Sequence, residues 1–197
     1  GNRKYHYDMS WVKPKPLVKR RHCYELNERI DAYGQVVTPL NEGEVRAIAA
    51  RIKADPEIKA VAVCLLFSYL NPDHELRVRD ILVDELPDHA LSISYHVLPK
   101  WKEYERASTT IADAYLKPIV SRQLKAMRGR LDEAQVRSPA VIIRSNGGEM
   151  TLEAASEAPA QMVLSGPTGG VIASRFVAEQ LNLSHLVTID MGGTSTD

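Results

Sequence analysis

The run Ala60-Val61-Ala62-Val63-Cys64-Leu65-Leu66-Phe67 constrains this chain more than any other stretch. It is almost uniformly apolar and partly β-branched. A strand buried on both faces reads this way, and such strands belong to parallel sheets covered by helices. The flanks supply those helices. Thr38-Pro39-Leu40-Asn41 introduces one in which Val45, Ile48, Ala49 and Ile52 repeat at helical spacing, and Asp55-Pro56 stops it. Asn71 as N-cap, Pro72 at the first helical position and acids in the first turn open a second, running to about Leu86 before Pro87. Leu91 to Tyr95 alternates as a half-buried strand. Residues 40–96 therefore read helix–strand–helix–strand, an α/β unit.

Upstream, Tyr24-Glu25-Leu26 reads as a short strand and Ala32 to Gln35 as a turn. Residues 1–22 are basic and aromatic, with Lys13-Pro14-Lys15-Pro16 favouring an extended, solvated connector. Downstream, residues 100–135 read as helical, split by Pro118 into 102–116 and 118–134. Ala140 to Arg144 reads as a buried strand, and Ser145-Asn146-Gly147-Gly148 as the tight turn after it. Met162 to Leu164 reads as a short strand entering Ser165-Gly166-Pro167-Thr168-Gly169-Gly170, followed by a helix over 170–181. Leu186 to Asp190 reads as a last strand.

Lys+Arg and Asp+Glu both number 25, so the formal charge is zero. No basic surplus exists for a polyanion, which argues against a nucleic-acid partner and leaves room for a local anion site. With 44% apolar and 25% charged residues the chain is an ordinary globular one, not a disordered tail. Cys23 and Cys64 form no Cys-x-x-Cys pair, so neither a zinc nor a thioredoxin motif is indicated; free thiols fit a cytoplasmic setting. No apolar run approaches the ~18–20 residues that span a bilayer, so no membrane segment is expected. The first residue is Gly1, and Asp197 falls a few residues after a Gly-Gly turn; a piece of a longer protein is expected.

The most informative chemistry lies in Asp190-Met191-Gly192-Gly193-Thr194-Ser195-Thr196-Asp197. A strand delivers Asp190 to its carboxyl end. Two glycines leave backbone N–H groups uncovered, hydroxyls follow, and a second acid closes the motif. Phosphates want that arrangement. Asp190, with Asp197, would then face a divalent ion, since Mg²⁺ takes one or two carboxylates beside phosphate oxygens. Ser165 to Gly170 offers a helix N-terminus to an anion through Gly166, Gly169 and Gly170, although it matches neither a Walker A loop nor Gly-x-Gly-x-x-Gly. Ser145 to Gly148 is either a plain hairpin turn or a wall of the same site. In His96 to Thr110, where His96 leaves a strand end, Arg106 is expected to pair with Glu103 or to take a solvated or capping role. No Gly-x-Ser-x-Gly elbow is present.

These segments, with Glu103-Tyr104-Glu105-Arg106-Ala107-Ser108-Thr109-Thr110 and Ala114-Tyr115-Leu116-Lys117-Pro118, resemble the hydantoinase A/5-oxoprolinase family. The resemblance covers nearly the whole chain. It departs at Asp113, where Asn is more usual, and at Thr168, where Ala is more usual. It implies an α/β fold, a fragment of an actin-like (RNase H-like) ATPase with mixed sheets and flanking helices. Residues 1–99 would be the C-terminal part of an N-terminal domain. Residues 100–197 would begin the hydantoinase A core, truncated in its phosphate hairpin. The implied activity is ATP-dependent opening of hydantoin, N-methylhydantoin or 5-oxoproline, with Mg²⁺ or another divalent ion and a hydantoinase B-type partner. Close relatives are instead subunits of acetone or acetophenone carboxylases. The resemblance makes Asp190 the Mg²⁺-linked catalytic acid and Gly192, Gly193, Thr194, Ser195 and Thr196 the phosphate cradle. A non-catalytic interaction module is a third reading. The apolar edge at 186–190 leads to the expectation of an oligomer, and the isolated piece is expected to be inactive.

Overall fold

The computed structural model describes residues 9–12, 15–194 and 196. Its first unit is built on one parallel strand pair. β3 (Ala60–Val63) and β4 (Ala90–Ile93) run in register, from Ala60 opposite Ala90 to Val63 opposite Ile93. Helix α2 (Asp73–Glu85) supplies the crossover that parallel pairing requires. Helix α1 (Glu42–Ala54) packs on α2 and is capped by Asn41, whose Oδ1 accepts from the Glu44 N–H at 3.3 Å. Val45, Ala49 and Ile52 face inward at the expected spacing. They meet Val78, Ile81 and Leu82 of α2, Leu86 just beyond it, and Val63 and Ile93 from the strands. A side chain of this kind contributes about 1.5–3 kcal/mol on burial.

The strand expected over 60–67 stops at Val63. Both polar groups of Leu65 are bonded away from the sheet, its N–H to Glu75 and its carbonyl to Arg106, and Phe67 turns left-handed at φ 58°. The strand expected to reach Tyr95 likewise ends at Ile93. Glu75 takes the Ser94 hydroxyl and the Tyr95 N–H, and the chain winds into a single turn, α3 (Ser94–Val97). Upstream, β1 (Arg29–Ile30) and β2 (Val36–Thr38) form an antiparallel hairpin about the expected turn. Asp31 Oδ1 accepts from Tyr33 and Gln35 N–H groups, and Gly34 takes φ 77°. Tyr24 to Leu26 is not a strand. It has no ladder partner, and Tyr24 and Leu26 pack on the first core from an irregular segment. Of the basic connector, residues 1–8, Lys13 and Pro14 lie outside the described residues. Lys19 and Arg21 both pair with Glu57, at 3.3 and 2.8 Å, in exposed contacts.

Helix α4 (Glu103–Glu133) is continuous over 31 residues, which corrects the expected break at Pro118. Proline removes one N–H from the ladder, but the helix is held on both sides of that point. Asp113 and Lys117 bond β4 through Ser92 and Leu91, while Ser121 and Arg128 reach α5 (Leu152–Glu157). A second core joins Leu124 of α4 to Met150, Leu152 and Ala155. β5 (Val141–Ile143) and β6 (Glu149–Thr151) form an antiparallel hairpin. Val141 is 49% exposed, so β5 is not buried on both faces as expected: a two-stranded ribbon has one covered face.

Two further expectations fail. Met162 to Leu164 is not a strand; a 3-10 turn over Pro159–Met162 leads directly into α6 (Ser165–Gln180). That helix begins at Ser165 and absorbs the glycine segment expected to precede it. Leu186 to Asp190 forms no strand either, and Val187 is 87% exposed. Branched side chains favour a strand only where a neighbour takes up the backbone groups, and among the described residues this stretch has none. The α/β class with small sheets and flanking helices holds, but no sheet among the described residues is mixed: each has two strands, one pair parallel and two antiparallel.

Candidate functional site

The C-terminal motif forms a tight turn closed by an antiparallel bridge between Met191 and Thr196. Gly192, Gly193 and Thr194 lie inside it, and Asp190 stands exposed immediately before it. Ser195 and Asp197 lie outside the described residues. A Cβ at Gly193 would meet nothing within 4 Å, so one side of the turn is open. Among the described residues no side-chain hydrogen bond ties this turn to the rest of the chain, and no cluster of three or more His, Cys, Asp or Glu side chains is placed to hold a metal.

The other two glycine segments are brought together. Ser145 is the staple. Its N–H donates to the Gln161 carbonyl at 2.7 Å, its Oγ accepts from the Leu164 N–H at 3.0 Å, and its carbonyl accepts from Thr168 Oγ1 at 3.1 Å. Thr168 Oγ1 also reaches the Leu164 carbonyl at 2.8 Å, so this hydroxyl is spent within the protein. Gly147 needs to be glycine, at φ 89° with its would-be Cβ 3.4 Å from Ile172 Cδ1. Gly169 is a packing glycine, its would-be Cβ 3.4 Å from Ile143 Cδ1. Gly166 and Gly170 face open space. Because the segment is helical, the amides of Gly169 and Gly170 enter the helical ladder; the free amides at this end are those of Ser165 and Gly166.

A third constellation, missed in the sequence, lies beyond the carboxyl ends of β3 and β4. Glu75 is fully buried and accepts from Leu65 N–H (2.7 Å), Ser94 Oγ (2.7 Å) and Tyr95 N–H (2.9 Å). Ser68 Oγ lies 3.1 Å from Ser94 Oγ, and Glu28 Oε2 lies 2.6 Å from His74 Nδ1. Arg106, expected at the surface, is fully buried and donates to the Lys100 and Leu65 carbonyls at 2.9 and 2.8 Å. Arg106, Thr110 and Asp113 recur at helical spacing and share the buried face of α4. That periodicity is the signal, concealed because the residues are polar. An apolar cleft of about 190 Å³ lined by Val61, Leu82, Leu86, His89 and Leu91 contains none of the motif residues.

Two family models match this chain: the hydantoinase/oxoprolinase N-terminal region over residues 1–86 and hydantoinase/oxoprolinase over residues 106–197. The gamma subunit of acetophenone carboxylase from Aromatoleum aromaticum is 34% identical over 94% of this chain and 26% of its own length. The nucleotide-free structure from a study of ATP-dependent acetone carboxylation superposes with a TM-score of 0.82, at 31% identity, over 94% of this chain and 26% of that one. The crystal structure of the ATP-dependent caprolactamase of Pseudomonas jessenii gives 0.81, at 28% identity, over all of this chain and 28% of that one. This chain thus spans about a quarter of the length of these proteins.

Proposed function

Because this chain belongs to the hydantoinase/oxoprolinase family, we propose that it is part of a larger ATP-dependent enzyme that opens a cyclic imide or lactam, such as hydantoin, N-methylhydantoin or 5-oxoproline. The observation that carries the reading is the match of both family models, one to each half of the chain, together with an open Gly-Gly turn at the expected phosphate position. The same models support a domain boundary near residue 99, since they leave residues 87–105 between them.

In this proposal the Gly192 and Gly193 amides and the Thr194, Ser195 and Thr196 hydroxyls receive phosphate oxygens. The turn suits that work: its amides are not spent in a helix or sheet, and no side chain crowds Gly193. Asp190, with Asp197, holds the divalent ion that travels with the nucleotide; one or two carboxylates suffice when phosphate oxygens complete the shell. Gly166 and Gly170 leave the start of α6 accessible to the same anion. Bound ATP supplies a phosphoryl group that turns an unreactive amide oxygen into a leaving group. The protein's own part is to orient, to neutralise charge and to exclude water.

A subunit of a ketone carboxylase is the second reading, favoured by the acetophenone and acetone carboxylase relatives. Their example, and that of the caprolactamase alpha subunit, supports a partner subunit of hydantoinase B type and an oligomeric assembly. Two free cysteines support a cytoplasmic location. No helix among the described residues is long and apolar enough to cross a membrane.

The test is ADP release by the full-length protein with its partner. Release that depends on a hydantoin or 5-oxoproline and accompanies ring opening supports the first reading. Release that needs bicarbonate and a ketone supports the second. Asp190→Ala is expected to lower turnover by about 100-fold; a wild-type rate removes Asp190 from the site.

A further inference from the structure

Arg106 is the largest fully buried side chain among the described residues, and none of their carboxylates pairs with it. A buried guanidinium is costly unless its donors are used. Nη1 and Nη2 bond the Lys100 and Leu65 carbonyls, Nε has no partner, and the group lies over the Tyr69 ring at 5.4 Å. The two carbonyls belong to the two segments that leave the sheet after β3 and β4. Two residues beyond each carbonyl stands a non-glycine residue in the left-handed region: Phe67 at φ 58° and Lys102 at φ 77°. Such backbone persists only where its surroundings over-determine it. Leu65 is also held from its other side, where its N–H meets Glu75. A buried carboxyl and a buried guanidinium therefore hold the same residue, one through its N–H and the other through its carbonyl. The clamp holds large apolar side chains at the surface: Leu66 is 40% exposed and Trp101 68%. Ligands of α/β proteins gather beyond the carboxyl ends of parallel strands, where this edge lies.

We infer that Arg106 is a positioning residue for the reaction proposed above, fixing residues 64–70 and 98–102 as the wall that meets the ring of a small cyclic imide or lactam. The inference rests on the ring-opening reading. Arg106 acts through the two loops and does not touch the substrate, because it is fully enclosed.

The test uses Arg106→Lys and Arg106→Ala in the full-length protein with its partner. Lysine keeps the charge but loses the fork that spans two carbonyls. The KM for the ring substrate is expected to rise about tenfold or more, with the KM for ATP changed by less than about twofold. Millimolar guanidinium ion is expected to restore part of the loss in Arg106→Ala, which a general loss of stability does not allow. In Arg106→Lys, amides of residues 64–70 and 98–102 are expected to exchange about tenfold faster while those of β3 and β4 stay protected. An unchanged ring-substrate KM in Arg106→Lys overturns the inference, as does faster exchange spread evenly over the chain. A wild-type protein that opens no ring overturns the functional reading instead, and this inference with it.

Discussion

Asp113 on α4 ties the two units through a single buried side chain. It is fully buried. Its Oδ2 accepts from Ser92 Oγ of β4 at 2.7 Å and its Oδ1 from the Ala160 N–H at 3.0 Å. Among the described residues no cation pairs with it. Asp113→Ala would leave the Ser92 hydroxyl and the Ala160 amide without partners. Each orphaned group costs about 1–3 kcal/mol. Removal of an unpaired buried charge offsets part of that, so a net loss of about 2–4 kcal/mol is expected. Asp113→Asn separates the two contributions. Its amide oxygen can take the Ala160 N–H, its NH₂ can donate to the Ser92 oxygen, and the charge is gone. It should therefore lie within about 1 kcal/mol of wild type or be more stable. Urea unfolding of the three proteins at neutral pH, with midpoint and slope both fitted, measures the differences. A loss below about 1 kcal/mol in Asp113→Ala refutes the bonding argument. An Asn variant as unstable as the Ala variant refutes the claim that geometry, and not charge, is what the site needs.

Pro118→Ala should raise stability by about 1–3 kcal/mol by returning an N–H to the ladder of α4; no gain in urea midpoint would mean the helix has relaxed around the proline. Gly147→Ala should cost about 1 kcal/mol or more, because it places a Cβ at φ 89° and 3.4 Å from Ile172 Cδ1. A thermal melt checks this, and an unchanged midpoint would show that the turn is not held against α6. The bidentate Arg77–Glu42 pair (2.7 and 2.8 Å) holds the Glu42 carboxyl below its ordinary range. A lowered carboxyl contributes stability that is present above its unfolded pKa and lost as pH falls through the lower folded one. The acid limbs of the melting curves of wild type and Glu42→Gln should therefore converge at low pH, and the gap at neutral pH should close in high salt, since the pair is exposed. Parallel curves at every pH would show that the pair contributes nothing.

Local rules carried the first unit well. Asn41 and the spacing of Val45, Ala49 and Ile52 specify α1 without help from the rest of the chain, and the apolar run around Val61 specifies a parallel neighbour. The failures share one cause: tertiary partners decide what propensity leaves open. Gly166, Gly169 and Gly170 read as a loop because each glycine costs a helix about 1 kcal/mol. The staple from Ser145 and the close approach of Gly169 to Ile143 override that cost. Leu186 to Ile189 has strand-forming side chains and no neighbour. Arg106 read as a surface residue because burial of charge depends on carbonyls far away in sequence. For the candidate site, the C-terminal turn was legible as a turn; the phosphate-cradle role proposed for it rests on its open glycine backbone and on the family.

Helix α4 has a mechanical consequence. At about 1.5 Å per residue its 31 residues form a rod about 46 Å long. One end carries Arg106 at the strand edge. The other end reaches past Leu124, which shares a core with Met150 of the hairpin that is stapled to α6. A rod gripped at both ends works as a lever: a tilt of about 5° displaces its far end by about 4 Å. An event at the strand edge that turns this helix is thereby passed, through the core shared by Leu124 and Met150, to the hairpin whose turn is 145–148.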